Sequence, residues 1–255
     1  MDIRLLGSVG FEAEARVVRP VSGRAGALLA SLAWQPGEFV SDGILSERIW
    51  GVSPPVDPRG ALFTAAKRLR QALAEAGHAH RVVRHRGGYL LDIGPEGVDL
   101  HRFRSLVGQG RAAAEDEAAA RFYESAAGQH AGTPLADVES AWAERVREAL
   151  RREHLAVRVA AAAAWLRVGR TAGLVPDLSY LADEHPLDET ITGLLMLALH
   201  RRGRQAEALE RYSLIRGRLI EELGDEPGGD LQDLHAQLLR RNASARTCAL
   251  VSSAR

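Results

Sequence analysis

The chain changes texture once, and that change limits what it can fold into. Before Gly94-Pro95-Glu96-Gly97, short apolar runs alternate with glycines and helical patterns. From residue 98 to 241 no strand pattern occurs, and 29 of the 42 alanines lie beyond residue 97. Alanine is the strongest intrinsic helix former, so the second part reads as all helix. The Gly-Pro-Glu-Gly stretch is polar and breaks both periods, as a boundary does. A length of 255 residues suits two domains. The sequence thus predicts an α+β domain over residues 1–97, an all-α domain over 98–241 and a flexible tail over 242–255, where neither period nor core is found.

In the first part, residues 3–6, 9–13 and 17–18 read as short strands. Residues 24–34 carry Ala25, Leu28, Leu29 and Leu32 at helical spacing, ended by Gln35-Pro36-Gly37. Ser41 is placed to cap a short helix with Ile44, Leu45 and Ile49 on one face and Gly51 after it. Asp57-Pro58 is a cap followed by proline at the first helical position, and it opens a helix to Glu75 or Ala76, closed by Gly77. Leu62, Ala66, Leu69 and Leu73 form its apolar stripe. Residues 81–84 and 89–93 then flank His85-Arg86-Gly87-Gly88, a hairpin with a basic tip. In the second part helical patterns cover 99–113, 115–128, 138–168, 172–184, 188–202, 205–222 and 228–241. Gly169-Arg170 recurs as Gly203-Arg204, an offset of 34 residues that lays Leu174 on Ala208, Leu178 on Tyr212 and Leu181 on Ile215. A 34-residue helix–turn–helix period is the tetratricopeptide (TPR) signature.

Lys+Arg and Asp+Glu number 33 each, so charge is informative only segment by segment. From Arg59 to Arg86 seven basic residues face one acid, Glu75, a net of +6. On the third helix the face opposite the apolar stripe holds Gly60, Thr64, Lys67 and Gln71, flanked by Arg59, Arg68 and Arg70. A basic amphipathic helix followed by a basic-tipped hairpin has the shape and charge of a winged helix-turn-helix, its helix sized for the major groove. Read from the residues alone, a second possibility stays open: a TPR adaptor without DNA-binding activity, whose N-terminal domain binds protein. Enzymes are poorly served. Lys67 is the only lysine and follows Ala65-Ala66, so no P-loop is present. Cys248 is the only cysteine, which excludes a disulfide framework and a cysteine-bound metal. His78, His80 and His85 are close in sequence but lack neighbouring carboxylates, so no metal is expected. Trp34, Trp50, Trp142 and Trp165 lie on apolar helix faces and read as core. The longest apolar run, residues 159–166, is less than half a membrane span. A soluble, cytoplasmic, non-enzymatic protein without a cofactor is expected.

Specific strings add a resemblance. Leu62-Phe63-Thr64-Ala65-Ala66-Lys67-Arg68-Leu69-Arg70-Gln71-Ala72-Leu73, Arg86-Gly87-Gly88-Tyr89-Leu90-Leu91 and Ile49-Trp50-Gly51 resemble the DNA-binding part of the Streptomyces antibiotic regulatory proteins. Glu184-His185-Pro186-Leu187-Asp188-Glu189, the stretch 203–209 and Glu221-Glu222-Leu223-Gly224-Asp225-Glu226-Pro227 resemble the activation domain that follows in that family. The resemblance runs from residue 3 to about 241. It implies an OmpR-type winged helix-turn-helix followed by an all-α, TPR-like bacterial transcriptional activation domain. It implies an activator of an antibiotic biosynthetic cluster that binds direct repeats in promoter DNA as a head-to-tail pair and recruits RNA polymerase through its sigma factor and alpha subunit. The residues so placed for DNA are Arg59, Thr64, Lys67, Arg68, Arg70 and Gln71 on the helix, with Arg84, Arg86 and Tyr89 on the hairpin. Val52, Ser53, Pro54, Pro55 and Val56, between the second and third helices, form the implied polymerase-contact loop. Two positions depart from the family pattern. Ala65-Ala66-Lys67 stands where the family usually carries an aromatic or histidine and then valine-serine, and His130-Ala131-Gly132 stands where a tryptophan precedes glycine. No segment corresponds to an ATPase, sensor or forkhead-associated domain, so a short form is expected. A cut near residues 94–97 is expected to leave a 1–97 fragment that binds DNA and a 98–241 fragment that folds but does not.

Overall fold

The structure, a computed structural model, describes residues 2–13, 16–18, 23–74, 78 and 81–252. The expected end of the third helix at 75–77 and His80 lie outside the described residues. The chain forms two compact units: residues 1–114 with 121–158, and residues 115–120 with 159–255.

The first unit opens with three short antiparallel strands, β1 (Asp2–Arg4), β2 (Gly10–Ala13) and β3 (Arg16–Val18), in the order β1-β2-β3. Three helices follow: α1 (Gly23–Ala33), α2 (Asp42–Trp50) and α3 (Pro58–Ala74). The cap expected at Ser41 is present, its hydroxyl accepting from the Ile44 amide at 3.3 Å, and Gly51 ends α2 at φ 62°. A second small sheet has the order β4-β6-β5, formed by β4 (Val40–Ser41), β5 (Val82–His85) and β6 (Gly88–Leu91). The two-residue β4 is too short to leave a sequence pattern. The hairpin tip is tighter than expected: His85 pairs with Gly88, so only Arg86 and Gly87 turn, with Gly87 at φ 83°. Gly88 is required by close approach, because a Cβ there would lie 2.3 Å from the Val40 carbonyl oxygen and 2.5 Å from the Phe39 ring.

The core of this unit does not stop at residue 97. After a single 3₁₀ turn at Pro95–Gly97 come α4 (Asp99–Ala112), α5 (Asp116–Ala127) and α6 (Ala141–Arg167). Leu100, Phe103, Val107, Leu135, Val138 and Leu150 share one apolar cluster with Ile3, Phe11, Leu28, Ile49, Leu69 and Leu91. Asp99, 4% exposed, accepts the amides of Leu5 (2.8 Å), Leu6 (3.0 Å) and Leu100 (2.7 Å), joining the N-terminal strand region to α4. Burial raises its carboxyl above the ordinary range, against the opposing pull of those three N–H groups and Arg102. Arg147, 7% exposed, donates to the carbonyls of Leu135 (2.6 Å) and Val138 (3.1 Å) and pairs with Glu144, clamping the loop before α6. Trp34 and Trp142 meet edge-on, with ring centroids 5.9 Å apart. His130 packs edge-on against Phe103 and over His154, with centroids 5.2 and 3.8 Å away. Burial, then the neighbouring His154, hold its imidazole down to about 4, so it packs as a neutral ring. A 1–97 fragment therefore lacks a large part of the apolar cluster that its own residues join.

In the second unit α6 ends and α7 (Leu174–Glu184), α8 (Glu189–Arg201), α9 (Gln205–Leu223) and α10 (Gly229–Ser252) follow, successive helices packing on one another. The 34-residue repeat is a repeated helix ending. Gly169 and Gly203 sit at φ 78° and 76°. Arg170 donates back to the Trp165 carbonyl as Arg204 does to that of Leu199, each at 2.9 Å. The superposed pairs Leu174/Ala208, Leu178/Tyr212 and Leu181/Ile215 are all buried. Asp188 caps α8, accepting from the Ile191 amide at 2.9 Å. α10 runs on to Ser252, past the expected start of the tail at Asn242. Residues 242–252 contain neither glycine nor proline, and extending an existing helix needs no new nucleus. Among the described residues no helix is long and apolar enough to cross a membrane.

Candidate nucleic-acid interface

α3 starts where Asp57 accepts the Gly60 amide at 3.0 Å and Pro58 takes the first helical position. It buries Leu62, Ala65, Ala66, Leu69, Ala72 and Leu73, the predicted stripe widened by two alanines. Ala65 is thus a core residue. Its lack of a functional group takes nothing from the outer face. That face exposes Arg59, Phe63, Thr64, Lys67, Arg68 and Gln71. Of the predicted set, Gly60 and Arg70 are half-buried instead, and Phe63, 62% exposed, is the residue that sequence reasoning missed. Its signal was available, because it stands four residues from both Arg59 and Lys67.

The cations behind this face divide into two groups. Arg70 is half-buried and donates through Nε to the Val82 carbonyl of β5 at 2.9 Å, tying α3 to the hairpin. Arg84 makes a two-pronged pair with Asp42 at the start of α2, at 2.5 and 3.0 Å, and also reaches the Gly88 carbonyl at 3.3 Å. The Asp42 hydrogen bond raises the guanidinium's already high pKa. Between them lies Tyr89, 1% exposed, with Arg84 4.4 Å and Arg70 5.9 Å from its ring centroid. Burial raises its phenol above the ordinary value, with both guanidiniums pulling the other way. Its expected place on a DNA-facing surface is therefore corrected. In β6 side chains alternate, so Tyr89 and Leu91 point into the core and Tyr89 serves as the platform on which two arginines rest.

The second group comprises Arg59, Lys67 and Arg68 on α3 and Arg86 in the hairpin turn. All four are exposed, and none forms an ion pair among the described residues. Thr64 is exposed, but its hydroxyl donates to the Gly60 carbonyl within the helix at 2.9 Å. In the loop after α2, Val52 and Val56 are fully exposed, Ser53 and Pro54 exposed and Pro55 half-buried. Two bare valines on a proline-stiffened loop form a small apolar knob. Among the described residues no group of three or more His, Cys, Asp or Glu side chains is placed to hold a metal. The arrangement can bind a polyanion along α3 and the hairpin turn.

Known proteins match this architecture. Residues 98–239 match the family described as "Bacterial transcriptional activator domain". Over 252 residues the chain is 35% identical to the regulatory protein DnrI of Streptomyces peucetius, spanning 94% of this chain and 92% of that one. It is 36% identical to the transcriptional regulator RedD of Streptomyces coelicolor, covering 95% and 71% respectively. A solved structure of EmbR from Mycobacterium tuberculosis, in complex with a low-affinity phosphopeptide, superposes with a TM-score of 0.86 at 27% identity, over 99% of this chain and 70% of that one. Fold and matches together define the class, a transcriptional regulator with a helical, TPR-like activator domain. Within that class, the chain belongs to the Streptomyces antibiotic regulatory protein family of transcriptional activators.

Proposed function

We propose that the protein is a sequence-specific DNA-binding activator whose first unit works as an OmpR-type winged helix-turn-helix. The observation that carries this reading is the set of exposed cations Arg59, Lys67, Arg68 and Arg86, which form no ion pair among the described residues and gather on one helix face and the adjacent hairpin turn. α3 has 17 residues, about 25 Å of helix at 1.5 Å per residue, and its width suits a major groove of roughly 12 Å. In this reading Lys67, Arg68, Gln71 and Thr64 face base edges, while Arg59 and Arg86 hold phosphates. Arg70 and Arg84 act at one remove, fixing the hairpin against α3 and α2. Two copies sit head to tail on direct repeats one helical turn apart, about 10–11 base pairs, so that both meet the same face of the duplex. The knob at 52–56 and the helical unit supply the contacts to RNA polymerase, its sigma factor and alpha subunit, at promoters of an antibiotic biosynthetic cluster.

The test is a binding titration on duplex selected from a random library by the full chain. Lys67→Ala and Arg68→Ala should each weaken binding by about 1–3 kcal/mol, the range for a lost base or bidentate phosphate contact. Unchanged affinity with both replaced would remove α3 from the interface.

A further inference from the structure

Phe63 has no structural use that accounts for its position. It is 62% exposed, it is absent from the core cluster, and the rest of its face is polar or cationic. Arg59 and Lys67 stand one turn to either side of it along α3. At the i−3 position of the preceding turn Gly60 offers no side chain to cover it, and a Cβ there would collide with the Asp57 carboxylate that caps the helix, 2.2 Å away. The neighbouring Thr64 gives its only hydroxyl proton to the Gly60 carbonyl. This turn of the helix therefore offers an aromatic ring and few free hydrogen-bond donors, inside a surface otherwise built for phosphates and base edges.

An exposed apolar ring gains most free energy by meeting an apolar group that takes it out of water. Across the major groove, base edges present donors and acceptors with one apolar exception, the C5-methyl of thymine. We infer that Phe63 is a specificity-determining residue that reads a thymine methyl in each half-site. The inference rests on the DNA-binding reading above and adds to it a base identity at one position. The phosphate-holding cations Arg59 and Arg86 supply affinity for any duplex, whereas the ring contributes only where a methyl is present.

Replacing thymine with deoxyuridine removes that methyl and leaves every hydrogen-bonding group of the base pair in place. The experiment first selects a binding motif with the full-length protein from a random duplex library. Each dT of the motif is then replaced singly by dU, and affinities are measured by fluorescence anisotropy for the native protein, Phe63→Ala and Phe63→Leu. At one thymine per half-site, dU should weaken native binding about four-fold, the effect of one methyl-sized group withdrawn from an apolar contact. Phe63→Ala should bind dT and dU duplexes alike at that position, and Phe63→Leu should keep part of the difference. Because the ring is exposed, Phe63→Ala should melt as the native protein does, which separates lost reading from lost folding. The assignment is overturned if the native protein ignores every dU replacement. It is also overturned if Phe63→Ala keeps the full dU penalty, if the motif holds no thymine, or if the substitution changes the oligomeric state and leaves the dU response intact. A chain that selects no motif at all would instead overturn the DNA-binding reading.

Discussion

A chain ended after Gly97 should not hold the fold of the first unit. Such a fragment keeps α1, α2, α3 and the hairpin, and so all the clustered cations. It loses Val98, Leu100, Phe103, Val107, Leu135, Val138 and Leu150, which fill the same core. Each fully buried large apolar side chain contributes about 1.5–3 kcal/mol, and whole domains are stable by only about 5–15 kcal/mol. The deletion loses burial as large as such a margin. It also removes Asp99, the acceptor for the Leu5 and Leu6 amides, and Trp142, over which Arg48 lies at 5.4 Å. We expect residues 1–97 to show no cooperative thermal transition and to bind operator duplex at least about 100-fold more weakly than the full chain. Residues 1–167, which end with α6, should unfold cooperatively. Circular dichroism melts beside anisotropy titrations check both, and a 1–97 fragment that melts sharply and binds as the full chain does would refute the shared core.

The second large effect is expected at Asp99. Its two carboxylate oxygens accept three amides in a buried setting, and two of those, from Leu5 and Leu6, come from a segment more than 90 residues distant. Asp99→Ala leaves them without a partner, and a buried unsatisfied donor costs about 1–3 kcal/mol, so the loss should total about 2–5 kcal/mol. The pH dependence has a defined sign. Burial raises this carboxyl, so the native state holds its proton more tightly than the unfolded chain does. Stability from this group is therefore fully present below the unfolded value and declines as pH rises through the higher native one. Urea melts of the native protein and Asp99→Ala across pH 4 to 8 should show the variant both less stable and without this decline. A variant as stable as the native chain would leave the Asp99 contacts without energetic weight.

Much of this was legible in the sequence because it lies in local pattern. The Asp57-Pro58 start, the Ser41 cap, the stripe of α3 and the 34-residue echo of Gly169 in Gly203 each depend on residues within one or two turns. Packing across the boundary was not legible. The stretch at residues 94–97 breaks both periods, yet nothing in it reveals that Leu100 and Phe103 turn back into the preceding core. The family boundary at residue 98 and the packing boundary within α6 are different boundaries, the first of sequence kinship and the second of buried surface. The site was half legible for a related reason. Helical spacing identified Thr64, Lys67, Arg68 and Gln71 as outward. Only the hairpin's pairing register shows Tyr89 turned inward, with Arg70 and Arg84 engaged by their own fold.

The central claim is that Arg59, Lys67, Arg68 and Arg86 form the surface that meets DNA, and the salt dependence of binding tests it most directly. Each phosphate neutralised contributes about −0.9 to the slope of log K against log salt concentration. The full chain should show a steep slope on its selected duplex, and replacing all four residues with alanine should flatten it by about two to four. The matched replacement of four cations on the helical unit, Arg202, Arg204, Arg211 and Arg218, should leave it unchanged. A slope that survives loss of the first four, or falls only with the second, would contradict the account and place the interface elsewhere.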